Sequence, residues 1–502
     1  MNIESIHPLT IILFLPTVAA LLIALFAKQP RTVKVSAAVF TFIAFALSVY
    51  LFVIFDRDGG LQFVEKAKWI SSINAQYYLG VDGLSLPMVI LTTFLGFVAV
   101  FVSWKINVRT KEYFIWLLLL ETGILGVFMS LDLLLFFLFW EVELIPMYML
   151  ISIWGTPPPL GRKEYSAIKF VVYTLFGSAF MLAGILSLYF STPAPHTFDM
   201  VAIASGGAAW LIPAIPFTAI FFLIFIAFAI KLPTFPFHTW LPDAHTDAPT
   251  AVSVILAGVL LKMGAYGMIR LVAGFGDGGL VPGVAERYAP VLVAFAVVSV
   301  LYGAAATVRQ TDLKRLIAYS SVSHMGFVML GIFALNQLSI TGATLQMFSH
   351  GLITGLLFAM VGLVYDKTHQ RIIPNLGGLA RQMPVITVVF SIAGLAALGL
   401  PTTIGFAAEF TVFLGSFTSE AFHGIQTCVV LATLGIVVGA GYILWMLERV
   451  FYREPLEKYN GVPDADHMEK AYIFAFVVLI MLFGVYPKFL LDVIGPVFTS
   501  WG

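Results

Sequence analysis

The stretch FAIKLPTFPFHTWLPDAH, residues 228–245, sets a lysine inside an apolar run, with prolines two and five residues later and two histidines beyond. It continues FTAIFFLIFIAFAI (217–230), so the apolar block runs over 211–244. A helix crossing the hydrocarbon core needs about 20 apolar residues, and this block exceeds one simple span. Proline removes a backbone donor and leaves a carbonyl unpaired, so the helix must break near Pro233. Such a break inside a membrane is tolerated only beside protein or water. Lys231, just before it, is too deep to reach an interface.

The whole chain supports a membrane setting. Of 502 residues, 60% are hydrophobic and 11% charged, against about a quarter charged in soluble chains. Barrel strands would alternate apolar and polar residues, and blocks such as LLLFFLFW (133–140) do not. Hydropathy places spans near 8–27, 33–55, 84–104, 113–130, 132–153, 166–190, 211–244, 250–272, 287–308, 313–335, 339–365, 384–420, 427–450 and 472–497. The fold class expected is an all-α polytopic membrane protein of about fourteen transmembrane helices.

The basic residues test that count independently. Eighteen of the 27 Lys and Arg residues fall in loops after odd-numbered spans. Only Arg57, Lys66, Lys68, Arg270, Arg287 and Lys488 lie on the other side, and Lys169, Lys231 and Lys262 lie inside spans. One missed span would invert every later loop and erase this positive-inside pattern. Both termini are expected on the outer face of a bacterial plasma membrane, or of a thylakoid. MNIESIHP carries no basic residue ahead of the first apolar block, so the first span is expected to be retained. The single cysteine, Cys428, reads as a small buried hydrophobe.

The second overlong span, 384–420, contains GLPTTIGF (399–406), which repeats the Leu-Pro-Thr of Leu232-Pro233-Thr234 at Leu400-Pro401-Thr402. Spans 4–8 and 9–13 then form two five-helix repeats, each with a broken helix, and an odd span number inverts one against the other. The expected organisation is a three-helix segment at 1–112, repeat 1 at 113–272, repeat 2 at 273–453, and a loop with span 14 at 454–502.

A charge at a helix centre costs about 2.5–3.5 kcal/mol to insert, so each buried one needs a reason. Glu121, Glu141, Glu143, Lys169, Lys231, Lys262 and Glu409 fall within spans, with His324 and His350 between the two repeats' charges. Glu141 and Glu143 stand about 200° apart on an ideal helix and should face different partners. A Glu141–Lys231 pair could toggle, with Lys262 and the histidines carrying the proton on to Glu409. His238 and His245, at the exit of the broken span, are accessory candidates. Lys169, near the start of its span, could equally snorkel, and Glu121 remains open. No HExxH, CxxC or P-loop occurs, and GFGDGG (274–279) lies in a loop, where its GxGxxG match is accidental.

Three segments resemble the antiporter-like membrane subunits of respiratory complex I, the bacterial NADH–quinone oxidoreductase. They are DLLLFFLFWEVELIPMYMLISIWG (132–155), FAIKLPTFPFHTWLPDAHTDAPTAVSVILAGVLLKMGAYGMIR (228–270) and DLKRLIAYSSVSHMGFV (312–328). The resemblance implies proton translocation through Glu141, Lys231, Lys262, His324, His350 and Glu409. It also implies lateral packing against L-like and N-like sister subunits. NAD, FMN, iron–sulfur clusters and quinone would belong to partner subunits, with none held by this chain. Glu143 is an added acid that resembles the photosynthetic, cyanobacterial-type homologues, whose electron donor differs. A multisubunit sodium/proton antiporter of the Mrp type shares these motifs and is the competing reading.

Overall fold

The computed structural model describes residues 7–272, 279–281 and 283–501. Residues 274–278 of the GFGDGG match and the first six residues lie outside that set. Among the described residues, twelve helices are long and apolar enough to cross a membrane. They begin with α1 (Pro8–Phe26) and α2 (Pro30–Ile54). Then follow α3 (Ser85–Val102), α4 (Thr110–Met129), a fifth span built from α5 (Leu133–Val142) and α6 (Leu144–Trp154), and α7 (Lys163–Ser191). A short helix, α8 (Met200–Trp210), leads to two half-length helices, α9 (Phe217–Lys231) and α10 (Trp240–Asp247). Together α9 and α10 are the interrupted seventh span.

The eighth span, α11 (Thr250–Ile255) and α12 (Leu261–Val272), is joined through a π-helical turn at Leu256–Leu260. Next come α13 (Val284–Val308), α14 (Leu313–Phe333) and α15 (Gln337–Thr368). The second interrupted span is α16 (Pro384–Ala397) with α17 (Ile404–Phe417). The chain closes with α18 (Ile425–Leu447), α19 (His467–Val485) and the short α20 (Lys488–Ile494). Counting each interrupted pair once gives the fourteen spans expected from hydropathy.

Two details differ from the sequence expectation. The fold is not purely helical, because β1 (Gln62–Ile70) and β2 (Ala75–Val81) form an antiparallel hairpin between α2 and α3. Its Glu65 accepts from the backbone N–H of Leu9 (2.7 Å) and Thr10 (3.1 Å), capping the first turn of α1 from outside. The last span stops at Val485 rather than 497, since Pro487 breaks it and α20 starts a new direction.

The two repeats use the same start signal. Asp132 caps α5 by accepting from Leu134 N (2.9 Å) and Leu135 N (3.1 Å). Asp312 caps α14 in the same way, from Lys314 N (2.8 Å) and Arg315 N (3.3 Å). Each also forms an isolated antiparallel bridge, Asp132 with Asp199 and Asp312 with Ile372. The first lies with the hairpin, whose Lys66 pairs with Asp199 at 2.7 Å. The second lies on the opposite, lysine- and arginine-rich face.

The apolar stretches of the eighth span and α15 are fully buried, and that of α14 nearly so, and these helices form the interior. Helices α1, α2, α18 and α19 turn side chains such as Leu25, Val53, Val437 and Val485 outward. Charged residues on the inner helices therefore see protein rather than lipid. A bidentate pair locks the hairpin end, where Arg270 donates to Asp82 at 2.7 and 2.8 Å. Hydropathy assigns Arg270 to a loop, whereas it is buried near the end of α12.

Candidate functional site

The first break is built as its prolines require. Pro233 offers no N–H, and the Thr234 N–H reaches back to Ala229 O at 3.0 Å. The carbonyl of Ile230, freed by the interruption, accepts from the Trp240 indole at 2.9 Å. Phe235 N donates to Ser299 Oγ at 3.0 Å, so α13 supplies part of the lost bonding. Lys231 is thus held at the last residue of α9, buried among helices.

Its partner is Glu143, which accepts directly from the Lys231 ammonium. This corrects the expected Glu141–Lys231 pair. The two acids still stand on different faces, as the 200° separation requires: Glu143 keeps right-handed helical backbone (φ −72°, ψ −19°) and is the buried one that meets Lys231, whereas Glu141 lies on the half-exposed face. Glu141 is half-buried, with Ser178 as its hydroxyl neighbour and Lys231 within its field. Lys231 Nζ stands 5.4 Å over the Trp140 ring and 5.3 Å over the Phe170 ring, further holding the ammonium.

A second, longer string starts at Lys262. The π-turn before it widens the helix, and the Lys262 ammonium folds back onto the Ala257 carbonyl. The same Nζ lies 2.7 Å from His350 Nδ1. The His350 ring centroid is 5.6 Å from that of His324, and His324 Nδ1 is 3.3 Å from Glu409 Oε1. Four of the six principal candidates, from α12, α14, α15 and α17, therefore touch in sequence. Around them Gln346 Oε1, Ser349 Oγ and His350 Nε2 are buried polar atoms without a protein partner. Gln346, Ser349, Thr354 and Ser320 line a small cavity along this string.

Glycines let the pieces approach. A Cβ on Gly264 would stand 2.7 Å from Phe228 O, so α12 packs directly on the backbone of the first break. A Cβ on Gly399 (φ +69°) would stand 2.8 Å from Glu409 Oε2, so the second break leaves room for that carboxylate. No direct side-chain bond joins Lys231 to Lys262 among the described residues. The helices that carry them, α9 and α12, pack together here.

The remaining candidates separate. His245 is fully buried, stacks on Phe358 at 4.4 Å, and lies in the fields of Lys314 and Lys262. His238 packs against Tyr302 (4.8 Å) and Phe235, away from the Lys262 string. Lys169 has a carboxylate partner, Asp243, at 2.7 Å, which gives it a structural ion pair instead of a snorkelling end. Glu121 is buried against Gly96 of α3, and its Oε1 has no partner.

Sequence reasoning missed Lys314 and Asp366. Both line a cavity of about 330 Å³ that reaches the basic face through Lys105, Thr156 and Arg371. Lys314 is one of the eighteen basic residues that hydropathy assigns to loops. The Asp312 cap places it inside the first turn of α14, buried, with its amine on Ala248 O at 2.6 Å. The spacing of DLKR, with a cap residue two positions ahead of the lysine, was the available signal.

Comparison with known proteins follows this geometry. The sequence model described as "NADH:quinone oxidoreductase/Mrp antiporter, TM" matches residues 130–435. An NAD(P)H-quinone oxidoreductase chain 4 of Synechococcus elongatus is 42% identical over 493 residues, covering 97% of this chain and 90% of that protein. An NADH-quinone oxidoreductase subunit M of Rhodobacter capsulatus is 40% identical over 506 residues, covering 97% and 95%. A chain of the respiratory complex I structure from Thermus thermophilus superposes with a TM-score of 0.86 at 27% identity, covering 98% and 100%. A chain of the Mrp complex from Dietzia shares the fold, with a TM-score of 0.83 at 20% identity, covering 99% and 97%.

The chain belongs to the NADH:quinone oxidoreductase/Mrp antiporter membrane-subunit family. Within it, the full-length similarity is to subunit M and chain 4 of the quinone oxidoreductases.

Proposed function

We propose that this chain is the subunit-M-type, proton-translocating membrane-arm subunit of an NADH–quinone oxidoreductase of the complex I type. One observation carries the reading: Lys262, His350, His324 and Glu409 form a contiguous string of titratable groups through the buried interior. A purely structural set would pair each charge with its opposite. Here a lysine and two imidazoles stand in line, each able to hold or release a proton.

The chain itself does no redox chemistry in this reading. Electron transfer, with NAD, FMN, iron–sulfur clusters and quinone, belongs to partner subunits, and L-like and N-like sister subunits flank it in the membrane arm. The basic face is the cytoplasmic side of a bacterial inner membrane, and both termini lie outside. Protons reach the string from the cavity at Lys314 and Asp366, past His245, which supports uptake from the basic face. Lys231 and its carboxylates form the other charged cluster, and the packing of Gly264 on the first break supports mechanical coupling between them. Titrations this closely linked belong to the set and not to single groups.

The test is redox-driven proton uptake in membrane vesicles from a His350→Leu strain, with the assembled complex quantified alongside. Normal assembly with proton uptake lost supports the reading. Normal assembly with normal uptake overturns it and leaves the buried charges as a structural spacer.

A further inference from the structure

The fifth span carries two carboxylates for one lysine. Glu143 holds Lys231 directly, and both side chains are essentially without solvent exposure (0% and 1%). The neighbourhood is shaped for that pair. On α4, Gly123 clears the space, since a Cβ there would stand 3.0 Å from Glu143 Cβ and 3.1 Å from its backbone nitrogen. Trp140 and Phe170 close two further sides of the ammonium. Breaking a buried pair by removing one partner leaves a charge uncompensated and is strongly destabilising, so Lys231 and Glu143 stay together at rest.

Glu141 stands differently. It is half-buried, and its Oε1 is shielded yet has no hydrogen-bond partner. It sits between Leu138 and Ile145, which are exposed on the same helical stripe. An ionisable group on such a stripe cannot face acyl chains at low cost, so it faces a protein or water surface when the chain is in its complex.

We infer that Glu143 is the standing counter-ion of Lys231, and that Glu141 is the separate carboxyl that loads and releases the proton at this end of the chain. This rests on the proton-pathway reading above. The charges balance at each step. Lys231 and Glu143 cancel, and a proton on Glu141 makes the three-residue cluster neutral. When Glu141 gives that proton to a water molecule on its exposed side, forming a hydronium that leaves, it gains one negative charge. Lys231 then lies between two carboxylates and is drawn toward Glu141. Reprotonation of Glu141 from the same side or from inside returns Lys231 to Glu143. A lysine with one carboxylate must lose its partner to move, whereas a lysine with two is handed from one to the other.

The experiment compares Glu141→Gln, Glu143→Gln and Glu143→Asp in the intact complex. It measures complex abundance, proton uptake in vesicles, and the redox-induced infrared difference spectrum in the protonated-carboxyl region. The expected result is that Glu141→Gln assembles, loses proton uptake several-fold and loses a protonated-carboxyl band. Glu143→Gln also loses uptake but keeps that band, and Glu143→Asp restores uptake. A band lost in Glu143→Gln and kept in Glu141→Gln overturns the inference, as does wild-type uptake in Glu143→Gln. Should Glu143→Gln fail to assemble, the Glu141→Gln spectrum decides: a retained band overturns the assignment and a lost band supports it. Lys262→Met touches neither acid. If that variant pumps normally the pathway reading itself fails, and if only Glu143→Gln pumps normally the failure is confined to this inference.

Discussion

Lys262 Nζ and His350 Nδ1 are 2.7 Å apart, fully buried, with Thr354 Oγ1 3.4 Å from the same ring nitrogen. A lysine ammonium has only donors, so His350 must present a lone pair at Nδ1 while Lys262 is charged. Two positive charges at this distance would repel, so the pair carries at most one, and it is not an ion pair. In the proposed pathway it is a proton-transfer contact.

The arginine variant tests this. Lys262→Arg keeps a cation of similar reach but one that does not deprotonate in proteins. Lys262→Met removes the charge. Both are expected to assemble and to lose proton uptake by a similar factor in vesicles driven by substrate oxidation. Normal uptake in Lys262→Arg would mean that the site needs a fixed charge only.

The second break provides a steric test. Gly399→Ala places a methyl group 2.8 Å from Glu409 Oε2 at a residue whose φ of +69° disfavours any side chain. The expected outcome is a displaced Glu409 carboxylate, a broken His324–Glu409 contact and reduced proton uptake. The left-handed backbone adds roughly 1 kcal/mol of instability. Gly424→Ala, at another positive-φ position with open space around it, should share the backbone cost and spare the uptake.

A pH prediction comes from the hairpin face. Burial pushes the Asp82 carboxyl up, but the Arg270 charge and hydrogen bonds, with Ser85, outweigh it and hold Asp82 below the ordinary range. Its contribution to stability is therefore complete above the unfolded value of about 3.9 and is lost as pH falls through the folded value. Asp82→Asn should lower stability near neutral pH by about 3–5 kcal/mol, the usual cost of orphaning one member of a buried pair. The gap between wild type and variant should close on acidification. Thermal unfolding in detergent across pH checks this, and a constant gap would reject the linkage.

On the basic face, Glu469 binds Lys105 at 2.6 Å and Lys367 at 2.8 Å, tying α19 to the end of α3 and to α15. Of its lysines, Lys105 also lines the mouth of the cavity at Lys314 and Asp366. Glu469→Gln should reduce the amount of assembled complex or its thermal tolerance, while proton uptake per assembled complex falls by no more than a small factor, because the Lys262 string itself is untouched. Loss of uptake at full assembly would instead bring this cluster into the proton route.

The span pattern was legible because hydropathy and the basic loops report the same alternation through independent residues. The breaks were legible because Pro233 and Pro401 forbid a continuous helix wherever they are packed. The Lys231 partner was not, since it lies 88 residues away, and the choice between Glu141 and Glu143 turns on which face of the fifth span meets the first break. The His324–Glu409 contact depends on how α14 packs on α17, which no periodicity encodes. Lys314 and Arg270, expected in loops, lie inside helices, and Arg371, in the loop where it is expected, is buried, all for a shared reason. Hydropathy treats every charge near a span end as solvated, whereas Asp312, Asp82 and the Thr246 carbonyl pull these three into the protein. The hairpin escaped because QFVEKAKWI looks like a polar connection once its neighbours are so apolar.

That hairpin sets an order of construction. The first turn of α1 receives its acceptors from Glu65, 56 residues downstream of Leu9, and Lys66 of the same strand waits for Asp199, 133 residues further on. During synthesis the leading helix must enter the bilayer with its starting amides bonded only to water. They are closed off after α2 has returned the chain to the same side, and the clasp is finished once half of the first repeat has been threaded. The starting amides of α1 are thus sealed by residues that follow it and not by its own sequence.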